Sequence, residues 1–292
     1  MIKNVILTGD THGGMATITR VSNIGRNMPE YKPEETAIII LGDAGLNFYL
    51  NNTDKKYKKL LNGMGYYIYC VRGNHEARPE LVPGIHPFYD ENINGVVMQD
   101  MDYPNIRYLK DGGEYSICGR SFLALGGAYS VDKWYRLARA GYTAAEAETA
   151  DPKKCGWFKD ELLTYDEMSE IWDKICGKNY DFILSHTCPL SWEPTDLFLS
   201  CIDQTTVDKS MELWLDKVRQ AVKYGVWCFG HYHADRIERP YVEQFYQEYE
   251  TIDTIWERWE KYSETGELDW WIPKSPTMSW TLHESQMNKD IT

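Results

Sequence analysis

The chain has 292 residues, 43% of them hydrophobic, 26% charged and only 12 proline, which excludes collagen-like, low-complexity and disordered classes and leaves room for one large core or two small ones. Thirty-one basic against 44 acidic residues give a net charge of −13, which repels a bare polyanion and excludes an extended nucleic-acid track as partner. No apolar stretch reaches the roughly 18 residues of a membrane span, the N-terminus lacks a signal-peptide pattern, and seven scattered cysteines without a C-x-x-C pair read as reduced thiols of a cytoplasmic protein.

In chain order, apolar runs at residues 5–7, 37–41 and 67–71 each end in a polar cluster containing glycine. Short runs of this kind suit strands buried on both faces, and the helix-length segments 15–26 and 54–62 between them suit crossovers of a parallel sheet. The polar clusters then fall at the carboxyl ends of strands, where open α/β sheets bind ligands. Beyond Glu76, β-like pieces at 95–98, 106–109, 114–118 and 121–125 predict a meander. Residues 128–179, with Trp134, Trp157, Phe158 and Trp172, read as a partly helical insertion, either a cap beside a site or a packing excursion. Two more strands are expected at 182–184 and 226–229, with helical spacing over 207–224 between them. Helix and strand fit 241–252 equally well.

Charge is uneven along the chain. Residues 241–270 hold nine acidic and two basic residues, hence 2 − 9 = −7 of the −13, together with much of the aromatic excess. A main domain over 1–252 and an aromatic, acidic extension over 253–292 are therefore expected, the extension packing over the domain or pairing with another subunit.

The clusters are Gly9-Asp10-Thr11-His12-Gly13, Gly42-Asp43, Gly73-Asn74-His75-Glu76, Ser185-His186 and Gly230-His231-Tyr232-His233. Taken singly, Gly-Asp is a turn signal and a lone histidine is an ordinary core or surface residue. Taken in order, each after a buried-strand run, they converge on one crevice, and their donors suit two borderline divalent ions. Asp10, His12 and His233 would serve one ion, Asn74, His186 and His231 the other, and Asp43 would bridge. Mn²⁺ is the first expectation, and Fe, Zn or Ni fits the same donors.

This ordered set, spanning Asp10 to His233, resembles the calcineurin-like metallophosphoesterases. The resemblance implies a four-layer α/β/β/α fold with two parallel-cored sheets face to face, the ligand assignment above, and His75 as an acid just outside the ions. Gly-Asp-Thr-His-Gly and Arg72-Gly73-Asn74-His75-Glu76 are similar to the protein-phosphatase and diadenosine-tetraphosphatase branch. Leu46 and Asn47 depart from it where an acid and an arginine are usual. The stretch from Gly126 to Lys133, with Trp157 and Glu161, resembles a segment of bacterial and phage metallophosphoesterases. Lys133, Arg136, Arg72 and Arg78 are the rivals for the missing phosphate-binding arginine.

The expected chemistry is hydrolysis of a phosphate monoester or diester by a metal-bridging hydroxide attacking phosphorus in line, with His75 assisting the leaving oxygen. Two ions, Asp10, Asp43 and hydroxide sum to about +1 locally, which attracts a small phosphorylated substrate despite the −13. A nucleotide-polyphosphate or dinucleoside tetraphosphate hydrolase is the alternative among enzymes. A metal-containing binding or scaffold protein is the alternative outside them.

Overall fold

The computed structural model describes residues 1–239 and 241–266. The apolar runs form the centres of two sheets. The first contains β1 (Asn4–Thr8), β2 (Thr36–Ile40), β3 (Tyr67–Cys70), β4 (Ile85–Asp90), β5 (Gly95–Asp100) and β6 (Ile106–Leu109). The second contains β7 (Gly113–Ile117), β8 (Arg120–Leu125), β9 (Asn179–Ser185), β10 (Lys223–Phe229), β11 (Arg236–Arg239) and β12 (Val242–Gln244). A late strand, β13 (Tyr249–Thr251), returns to the edge of the first sheet beside β1.

The first sheet runs β13-β1-β2-β3-β6-β5-β4, parallel from β1 to β6 and antiparallel at both ends. The second runs β11-β12-β10-β9-β8-β7, parallel from β12 to β8 with antiparallel edges. Alternate residues of each strand face opposite sides. Leu7, Ile39 and Tyr69 therefore meet Phe122, Phe182 and Cys228 in a core between the sheets.

The other faces take helices. Ile6, Ile38 and Ile68 pack with Ile18 and Ile24 of α1 (Gly14–Asn27) and Leu61 of α2 (Asn52–Asn62). Leu123, Ile183 and Trp227 of the second sheet form one cluster with Ile171 of α5 (Tyr165–Ile175) and Leu215 of α6 (Ser210–Ala221). Each fully buried side chain of this size contributes about 1.5–3 kcal/mol. The layers are α/β/β/α, as the resemblance implies, and the parallel core of the first sheet follows the strand pattern.

Three details differ from expectation. β4 has an exposed centre and a proline, so its sequence lacks the buried-strand pattern although it pairs with β5 over six residues. The helix expected over 207–224 stops at Ala221, because Lys223 and Tyr224 pair with Asn179 and Tyr180 of β9. Residues 241–252 resolve into β12 and β13, followed by α7 (Ile252–Thr265), whose Ile255 and Trp256 enter the core between the sheets. The 252/253 boundary thus lies within α7, and residues 267–292 lie outside the described residues.

Within 128–179, α3 (Lys133–Arg139) and α4 (Pro152–Cys155) form a small separate cluster through Leu137, Cys155 and Trp157. The seven cysteines are unpaired. No helix among the described residues is long and apolar enough to cross a membrane.

Candidate metal centre

The polar clusters leave the carboxyl ends of β1, β2, β3, β9 and β10, and backbone hydrogen bonds lock them to one another. Thr11 and His12 N–H donate to the Asp43 carbonyl at 3.2 and 2.8 Å. His75 N–H donates to Asp43 Oδ1 at 2.8 Å, and His231 N–H donates to both Asp10 oxygens at 2.9 and 3.1 Å. The first and last clusters are joined in this way across 221 positions.

The local backbone is unusual at the same residues. His12, Asp43, His231 and His233 have φ of 51°, 48°, 68° and 52°, a left-handed conformation that costs a non-glycine residue about 1–3 kcal/mol and gathers at functional sites. The flanking glycines are there for room as well as for turning. A Cβ on Gly42 would lie 1.9 Å from His186 Nδ1, and one on Gly230 would lie 2.2 Å from Asp10 Oδ1.

These constraints bring Asp10, His12 and His233 together, and Asp10, Asp43 and His186, with donor atoms of each group within 4.8 Å of one another. His12 Nε2 is 2.8 Å from His233 Nε2. Asp43 turns Oδ2 toward His12 Nδ1 at 3.7 Å and Oδ1 toward His186 Nε2 at 3.6 Å. Asn74 Oδ1 lies 2.8 Å from His186 Nε2, and the His231 ring is centred 5.0 Å from that of His186. All seven residues expected as ligands thus occupy one crevice, with His75 at its wall.

The donor set fits cations. His186 Nδ1 faces the Leu41 carbonyl at 2.8 Å, an acceptor only, so Nδ1 carries the proton. In the neutral ring Nε2 then presents a lone pair, which meets the Asn74 carbonyl oxygen acceptor to acceptor, a contact that a cation turns favourable. Burial raises the carboxyls of Asp10 and Asp43, but the imidazoles around them more than reverse this. Asp10 falls below the usual carboxylate range, chiefly through His186 and His233, and Asp43 sits at about 2 through His186, His75 and His12. Burial holds the His231 imidazole well below its ordinary value. Ionised carboxylates beside neutral imidazoles are the state in which both bind metal.

Residues outside the motifs brace this arrangement. Ser130 accepts from Asn74 Nδ2 at 2.8 Å, which fixes the amide so that its oxygen faces His186. Glu161 accepts in turn from the Ser130 hydroxyl and N–H. The Gly126–Lys133 stretch pointed to this region, but the 31-residue gap between Ser130 and Glu161 hid the pairing.

The four basic rivals divide. Arg72 is buried against Asp111 and the carbonyls of Glu161 and Gly126. Arg78 pairs with Glu167 and Asp160. Lys133 lies 4.3 Å over the Trp157 ring. Arg136 bonds Asp132 at 2.7 Å, and the charges of both act on His75.

No curated protein matches the chain in sequence. Among solved structures, one crystal structure aligns over 84% of this chain and 90% of its own length, at 12% identity and a TM-score of 0.44. The family model described as calcineurin-like phosphoesterase matches residues 3–235, a span that takes in every cluster above. The chain belongs to the calcineurin-like phosphoesterase family, metal-dependent hydrolases of phosphoester bonds.

Proposed function

We propose that the protein hydrolyses phosphate monoesters or diesters with two divalent ions, one held by Asp10, His12 and His233, the other by Asn74, His186 and His231, with Asp43 between them. The observation that carries this reading is the double aim of Asp43, one oxygen toward each half of the cluster. Mixed carboxylate, amide and imidazole donors suit Mn²⁺ first, with Fe, Zn and Ni as competitors. Seven unpaired cysteines support a reducing, cytoplasmic location.

Bound ions supply Lewis-acid charge and a water acidified toward neutrality, the two things phosphoester hydrolysis needs. The chain does the rest. Asp10 and Asp43 hold negative charge in a buried crevice, and His186 is kept in one tautomer by Leu41. Ser130 keeps the Asn74 oxygen turned inward. His75 has a buried Nδ1 without a hydrogen-bond partner and lines the cavity beside the cluster, so it is the group that protonates or steadies the departing alkoxide. Among the four basic rivals Arg136, held by Asp132, acts on His75 through its charge and is the candidate for the phosphate-facing role.

Metal-stripped protein assayed on an aryl phosphate with each ion added back tests the reading. Turnover is expected to return with Mn²⁺, and Asp43→Asn is expected to lose more than the ~100-fold that outer partners of a metal site cost. Equal turnover by stripped and reloaded protein would sink the proposal.

A further inference from the structure

Beside the metal cluster lies a cavity of about 140 Å³. Asn74, His75 and His231 close one end. Leu197, Phe198, Ile202 and Val207 form an apolar wall along the segment that holds the short 3-10 turns Thr195–Leu197 and Gln204–Thr206, Phe198 and Val207 following them directly. Tyr232, set between two candidate ligands, presents its ring to Phe198 at 20° and 6.3 Å between centroids.

Facing the apolar wall, the lining also carries acids, Asp132, Glu193 and Glu212, and Glu212 is the one on α6. Glu212, in the first turn of α6, is only 3% exposed. Its Oε1 accepts from the Thr187 hydroxyl at 2.7 Å, and its Oε2 has no hydrogen-bond partner. Burial pushes the carboxyl up to about 7. A buried acceptor left without a partner is costly, so the ligand that belongs here brings a donor to it as the Glu212 side chain turns to meet it. The cation lining the cavity, Lys209, is engaged by Glu193 at 2.6 Å and lies 4.7 Å over the Phe198 ring. That leaves the cavity suited to an uncharged planar group and unsuited to a chain of further phosphates.

We infer that this cavity is the leaving-group pocket and selects nucleoside phosphates whose base carries an exocyclic amine, the base lying along Phe198 and Tyr232 and its N–H donating to Glu212 Oε2. The inference rests on the phosphoester reading above: phosphorus sits at the metals, and the alcohol that departs past His75 extends into the cavity. A base with a carbonyl in place of the amine sets acceptor against acceptor.

Two nucleotide pairs isolate that contact, because each shares one leaving alcohol: cytidine against uridine monophosphate, and adenosine against inosine monophosphate. At about pH 8.5, where Glu212 is ionised, kcat/KM is expected to favour the amine member by roughly tenfold or more, since a site built around one hydrogen bond rejects the analogue lacking it. Glu212→Gln, able to accept from an amine or donate to a carbonyl, is expected to bring both ratios within about threefold of unity. If that variant lacks the native melting transition, Glu212→Asp keeps the charge, withdraws the oxygen and is expected to do the same. Ratios near one in the unmodified protein, ratios that survive in the variant, or turnover of p-nitrophenyl phosphate but no nucleotide would each overturn the inference while leaving the phosphoester reading intact. No turnover of any phosphoester with any metal would overturn both.

Discussion

The candidate metal-ligand cluster and the cavity beside it share Asp43, Asn74, His75, His231 and His233 but are built on different principles. The cluster is made by backbone: strand ends in register, four non-glycine residues held at positive φ, and glycines that leave no space between one motif and the next. The cavity is made by side chains on and beside short turns, with buried, unpartnered carboxyl oxygens of Asp132 and Glu212 among its apolar lining. Rigid placement suits ions, which fix their distances, whereas a wall of turns can change residue by residue without disturbing them. On the proposed reading, the apolar wall can tune selectivity while the shared residues keep the chemistry.

Substitutions can break that separation. Gly42→Ala is expected to do most harm, because its Cβ would meet the His186 ring at a φ of 93°. A loss of about 3–4 kcal/mol in denaturant unfolding is expected together with lost turnover. Gly119→Ala, with φ 77° and open space around it, is the control and is expected to cost only about 1–2 kcal/mol.

On the cavity side, Glu212 makes stability depend on pH. Its folded pKa, about 7, lies above the ordinary 4.5, so folding is undisturbed by this group below about pH 4.5 and loses up to about 3 kcal/mol as pH rises through 7. In metal-free protein, Glu212→Gln is expected to narrow the difference in unfolding free energy between about pH 5 and 8. An unchanged difference would show that the carboxyl is not desolvated.

Ser130→Ala tests the brace that holds Asn74. It frees the Asn74 amide, and metal affinity measured by titration is expected to fall about 10–100-fold. The smallest effect belongs to Phe198→Ala, expected to raise KM for an aryl phosphate roughly two- to tenfold with metal affinity unchanged. A drop in metal affinity there would show that the two regions are coupled.

The sequence is legible where burial is symmetric and geometry is local. Ile38, Ile39 and Ile40 announce a strand covered on both sides, and Gly-Asp or Gly-His-x-His after such a run marks an end that joins the candidate site. The bland reading of Gly42 as a mere turn residue misses why it is glycine: it faces His186, 144 positions away. β4 is obscured by its exposed centre and Pro87. β12, β13 and α7 follow one another where aromatic residues satisfy both periodicities. Glu212 looks like an ordinary first-turn acid of a helix, and only the fold turns it inward against Thr187.

β13 against β1 has a consequence in time. The strand that carries Asp10 is flanked by residues 249–251, and Asp10 receives its backbone hydrogen bond from His231. At about 5–20 residues per second of synthesis, on the order of tens of seconds separate Asp10 from that partner. A chain synthesised only as far as Phe229 therefore holds Asp10, His12, Asp43, Asn74 and His186 without the His231 N–H that closes on Asp10. A truncation before β13 leaves β1 paired with β2 but removes the strand that covers its outer edge.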